Sequence, residues 1–140
     1  MEKEIYTAAF CSLFWNEKLS YVREEWKIAH CPLEEFKELN NYLLEYCIDK
    51  KVKNLIVDAF GAVSLLPEGH HEWLERDFNS IFGQKTKIEK IITIIPESLV
   101  TSISINKFYE SIKMNRRNIL VLKLKSMEEA FNYLASQRKK

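Results

Sequence analysis

Glycine is scarce in this chain. There are three in 140 residues, Gly61, Gly69 and Gly83, and they lie far apart, so no glycine-rich loop is available to cradle a phosphate. Cysteine is equally sparse. Cys11, Cys31 and Cys47 are odd in number and none belongs to a CxxC pair, which reads as reduced core or surface thiols of a cytosolic protein. Neither sign of charge dominates: Lys+Arg is 21 and Asp+Glu is 20, which gives no field to attract nucleic acid or an anionic membrane surface. The basic cluster Arg138-Lys139-Lys140 reads as a solvated tail. No apolar run reaches the length of about 18 residues that a membrane span needs. Met1 to Glu4 is charged and leads into no apolar core of signal-peptide length. Repeats and low-complexity segments are lacking.

What is present is a folding sequence. The hydrophobic fraction is 46% with 12% aromatic, which excludes disorder, and the length suits one domain over residues 1–140 with a core that needs neither metal nor disulfide. The most telling stretch runs from Val52 to Trp73. Val52 to Phe60 reads as a strand covered on both faces, with Leu55, Ile56 and Val57 as its apolar run and Asp58 near its end. Gly61 lets the backbone turn, and Pro67 is pre-set to open a helix.

Before it, Ile5–Lys18 and Leu19–Ala29 read as two strands of a β-hairpin around the polar break Asn16-Glu17-Lys18. Alternation slips at Arg23-Glu24-Glu25, which a bulge or wide turn would absorb. A helix is predicted from Pro32 at N1, with Leu33, Phe36, Leu39, Leu43 and Cys47 on its apolar face and Lys50-Lys51 closing it. After the central strand, Pro67–Phe82 is predicted helical, with Trp73, Leu74, Phe78, Ile81 and Phe82 as its stripe and Gly83 as its stop. Ile88–Pro96 is a strand, a helix starts near Asn106, and Asn118–Lys125 is a strand. Ser126 and Glu129 form a capping box for a last helix that buries Met127, Ala130, Phe131 and Leu134. The order ββαβαβαβα predicts an α/β fold: a mixed, mainly parallel sheet of about five strands, an N-terminal hairpin and four helices.

The strand ending Leu55-Ile-Val-Asp58, the helix with Trp73-Leu74, the strand Ile91–Pro96 and the last helix, Ser126-Met-Glu-Glu-Ala130 through Tyr133-Leu134, carry a resemblance. Their combined spacing is similar to the STAS domain of the anti-sigma-factor antagonist type, and more narrowly to the stand-alone STAS/SEC14-like, SpoIIAA-like proteins of bacteria. The resemblance implies a regulatory, protein-binding module rather than an enzyme. Classical antagonists carry an Asp-Ser-Ser-Gly type loop whose serine is phosphorylated. This chain reads Asp58-Ala-Phe-Gly-Ala-Val-Ser64, without the paired serine and following glycine, so Ser64 is expected to hydrogen-bond to its own loop.

The candidate binding residues are Asp58, Ser64, Leu65, Leu66, His70 and Trp73, gathered where ligands of open α/β sheets collect, beyond the carboxyl ends of the strands. Leu65 and Leu66 would form an apolar docking patch, and Trp73 would line a pocket beside the loop. Asp58 is read as fixing the turn by accepting backbone N–H bonds, with a general-base role as the alternative. His71 and Glu75 share a helical face, but His70 and His71 point about 100° apart, so no metal and no cofactor is expected. Three functions follow: docking of a protein partner, binding of a small apolar or lipid-like ligand as the SEC14-like side of the resemblance implies, and, last, an enzyme using Asp58 with His70 or His71. An exposed hairpin edge would permit a homodimer.

Overall fold

The amino-terminal apolar stretch makes three strands where two are predicted. The computed structural model describes residues 1–28, 30–58, 67–94 and 118–138. Strands β1 (Lys3–Thr7), β2 (Cys11–Asn16) and β3 (Tyr21–Trp26) form an antiparallel meander. The expected first strand breaks at residues 8–10, where the Ala8 amide donates to the Cys11 carbonyl at 2.9 Å. Ala8-Ala9-Phe10 holds none of the residues that usually announce a turn, which is why the break is hidden in the sequence. The predicted hairpin is therefore β2–β3. Its turn is pinned by Asn16, whose Oδ1 accepts the Leu19 amide at 2.9 Å, and Ser20 takes a positive φ of 52°. The predicted slip at Arg23-Glu24-Glu25 does not occur: β2 and β3 pair continuously from Cys11↔Trp26 to Asn16↔Tyr21, and the irregularity lies between Glu4 and Tyr6. Arg23 and Glu24 are buried charges at regular pleat positions, so polarity fails to alternate while geometry does not.

Helix α1 (Leu33–Asp49) buries Phe36, Leu39, Leu43 and Cys47 as its spacing predicts. Pro32 precedes it as an extended cap rather than as its first residue. At the far end Lys51 adopts φ 51° and ends the helix, and β4 (Asn54–Asp58) follows. Asn54 Nδ2 donates to the carbonyls of Leu19 and Ser20, both at 3.1 Å, tying the start of β4 to the hairpin turn.

The next helix is longer than predicted and changes pitch. It comprises α2 (Glu68–Trp73), a π-helical turn (Leu74–Phe78) and α3 (Asn79–Lys85). Gly83 is buried inside it rather than stopping it, and Thr86 closes the end by donating its Oγ1 hydroxyl to the Phe82 carbonyl at 2.7 Å. Residues repeating every fourth position drift around an α-helix, and the wider π turn takes up that drift. Leu74, Phe78 and Phe82 stay buried, while Ile81, predicted to join them, is turned outward. Strands β5 (Lys90–Ile94) and β6 (Leu120–Leu124) and helix α4 (Met127–Arg138) complete the described elements. Pro96 and the helix predicted from Asn106 lie outside the described residues.

The result is an α/β fold with a six-stranded mixed sheet in the order β1-β2-β3-β4-β5-β6 and, among the described residues, three helical segments. The ladders β3–β4, β4–β5 and β5–β6 are parallel. The prediction is thus short by one strand, the amino-terminal ββ being βββ. β4 lies between β3 and β5 and is covered on both faces. Leu55 and Val57 enter the core under α1, α2 and α3, and Ile56 enters the smaller core under α4.

The Ser126 side of the α4 capping box is present, while the Glu129 carboxylate reaches one residue further back, to Lys125. The Glu129 amide donates to Ser126 Oγ at 3.2 Å, and Glu129 Oε2 accepts the Lys125 amide at 2.8 Å. Ser126→Ala removes one side of this exchange and is expected to cost about 1 kcal/mol, read as a shift in a urea melt.

Candidate functional site

Asp58 ends β4 at the carboxyl rim of the parallel strands, opposite Glu25 on β3 and Ile94 on β5. By the pleat it shares a face with Ile56, the face of the α4 core. Arg23 stands on that same face and gathers three carboxylates. Its Nε and Nη2 fork onto Glu2 at 2.8 Å each, its Nη1 donates to Glu25 Oε2 at 2.7 Å, and Asp58 Oδ2 lies 3.6 Å from Nη1. The guanidinium also sits 4.3 Å over the Phe14 ring. Arg23 and Glu25 of β3, Asp58 of β4 and Glu2, just ahead of β1, thus meet in one network.

The electrostatics follow from burial and pairing. Burial disfavours the Arg23 charge, but the hydrogen bonds it donates to Glu2 and Glu25 outweigh that and raise the pKa. Burial likewise opposes ionisation of Glu2, yet Arg23 and Tyr21, whose hydroxyl donates to Glu2 Oε2 at 2.6 Å, hold its pKa below the usual carboxylate value. Tyr21 in turn is raised, first by burial and then by Glu2. Asp58 is therefore part of an ion network.

His70 and Trp73 belong to the other face. His70 is buried, its Nε2 is 2.6 Å from the Cys31 carbonyl oxygen, and its ring lies 4.7 Å from Phe36. Trp73 meets Phe36 edge-on at 6.0 Å and stacks on Phe78 at 5.4 Å. Both side chains dock α2 onto α1 and the segment before it. The sheet separates them from Asp58, so the pairing of Asp58 with His70 has no geometric basis. His71 is half-buried. Ser64, Leu65 and Leu66 lie outside the described residues. Among the described residues no group of three or more His, Cys, Asp or Glu side chains is placed to hold a metal. All three cysteines are buried and none is in a disulfide.

One residue of chemical interest went unnoticed in the sequence. Glu24 is 4% exposed on the α1 face of β3, directly between Leu13 and Val57 in the register. Its Oε1 accepts the Trp26 indole N–H at 2.8 Å, and it has no salt bridge among the described residues. Burial pushes its pKa up to about 7, and the Trp26 hydrogen bond offsets part of that rise. In the same row beyond Val57, Thr93 Oγ1 is buried without a hydrogen-bond partner among the described residues. The clue was the interrupted alternation at Arg23-Glu24-Glu25. A charged triplet within an apolar strand marks side chains held by the interior as readily as a bulge.

No protein-family model, no curated protein and no solved structure matches this chain.

Proposed function

We propose that the chain is a non-enzymatic, STAS-like regulatory module that binds a protein partner at the carboxyl rim of its parallel strands. The observation that carries this reading is the placement of Asp58. It ends a mid-sheet strand covered on both faces and stands beside Arg23 at the carboxyl rim of the sheet. The polar groups nearest that rim support binding rather than chemistry. Asp58 and Arg23 serve each other, and His70 serves the Cys31 carbonyl. The docking surface is residues 61–69 with the start of α2, where Leu65 and Leu66 supply apolar contact next to Glu68.

The test is a double variant, Leu65→Asp with Leu66→Asp. It keeps the circular dichroism spectrum and melting temperature of the parent and loses the partner that the parent retains in a pull-down from native cells. A partner held equally well by the double variant places the docking surface elsewhere.

A further inference from the structure

Phe131 is predicted to be buried, and it is 45% exposed. Ala130 and Leu134 are the buried residues of α4, and Phe131, one position past Ala130, is rotated by about 100° out of their stripe. It does not point into empty solvent. With Leu19 and Ala135 it lines a half-open cleft of about 510 Å³ between α4 and the β2–β3 turn. Asn16, Lys18 and Arg138 supply polar parts of its wall.

The position of the cleft follows from the topology. The β2–β3 turn precedes β3, so it lies at the amino ends of the parallel strands. Helix α4 starts after the carboxyl end of β6 and runs back, so Arg138, its last residue, arrives at the same end. The cleft is therefore at the end of the sheet remote from Asp58, and it stands independently of the protein-docking reading.

Its chemistry is one-sided. The apolar surface is Met1, Leu19, Ala135 and an aromatic ring, the charged side chains are Lys18 and Arg138, and no carboxylate lines it among the described residues. Arg138 in the last turn of α4 also offsets the negative end of the helix dipole there. A concavity of this size, with an apolar wall and few polar groups, suits a small organic ligand. A neutral ligand would use the ring and leave both cations unmatched; an inorganic anion would use the cations and leave the ring wet. We propose that this cleft binds a small organic anion with an apolar, ring-sized body, the body against Leu19, Phe131 and Ala135 and the acid group meeting Lys18 and Arg138.

Two dyes with nearly the same aromatic body separate the possibilities: anilinonaphthalene sulfonate, which is anionic, and phenyl naphthylamine, which is neutral. The full chain is expected to bind the sulfonate saturably with one-to-one stoichiometry, and the neutral dye about tenfold more weakly or less. Phe131→Asp and Arg138→Glu are each expected to weaken the sulfonate about tenfold while the circular dichroism spectrum stays that of the parent, since both side chains are exposed. Lys18→Glu, on the β2–β3 turn and outside any helix, gives the same reading should a helical variant misfold. Sulfonate binding that survives Phe131→Asp, or that never saturates, overturns the site. Equal binding of the two dyes overturns the anionic ligand. The Leu65→Asp, Leu66→Asp double variant keeps full dye binding, so failure here and failure at the carboxyl rim are read separately.

Discussion

Arg23→Met is expected to destabilise the fold by about 3 kcal/mol, measured by urea denaturation at neutral pH. The substitution keeps most of the aliphatic stem and removes the charge that three carboxylates share. Breaking a buried pair from one side costs about 3–5 kcal/mol because the abandoned charges remain where they are. The lower end applies here, since Glu2 and Glu25 are 26% and 40% exposed and can turn to water, while Asp58 at 17% cannot do so as easily. Glu25→Gln serves as the internal control. Its partner keeps the Glu2 fork, and the loss is expected to stay under about 1 kcal/mol. An Arg23→Met protein as stable as its parent would show that the network contributes nothing net to the fold.

The same network sets the acid side of the stability profile. The folded pKa of Glu2 is lowered, so its contribution is present above the unfolded value of 4.5 and is lost as the pH falls through the folded one. Arg23→Met is expected to shrink that acid-side loss as well as lower the plateau, while the Tyr21 hydroxyl still donates to Glu2.

Glu24 bends the profile the opposite way. Its folded pKa is raised to about 7 from an ordinary 4.5, so the native state holds its proton more tightly than the unfolded chain does. The stability it confers is complete below pH 4.5, declines as the pH rises from there through about 7, and is gone above that. The span corresponds to about 3 kcal/mol. Glu24→Gln keeps an oxygen that accepts from the Trp26 indole and cannot ionise. The variant is expected to match its parent near pH 4.5 and to exceed it by about 3 kcal/mol at pH 8. The indole N–H resonance of Trp26 gives an independent reading. In the parent it should titrate with a midpoint near 7, and in Glu24→Gln it should not move across that range. A parent whose unfolding free energy is flat between pH 5 and 8 would mean that Glu24 is ionised at no cost.

These expectations rest on residues that the sequence shows and whose roles it conceals. The alternation of strand and helix, the apolar stripe of α1, the mid-sheet run Leu55-Ile56-Val57 and the Ser126–Glu129 cap were readable because each is set by local spacing over a few residues. The extra strand was not readable. The turn at residues 8–10 is closed by a backbone hydrogen bond between residues with no turn preference. The π turn at Leu74–Phe78 escaped notice because the stripe was read with the α-helical period.

Chain order and pattern by themselves determined that this protein is α/β, that its central strand is covered on both faces and that Asp58 lies near the carboxyl end of that strand. Only the tertiary structure decided what the polar side chains do. It brought Glu2 and Arg23, 21 positions apart, onto one face of the sheet beside Asp58, and it placed His70 on the other. It also left Phe131 at the edge of a cleft. The reason is that periodicity reports which face of its own element a residue occupies, whereas charge pairing and exposure depend on which other elements meet that face.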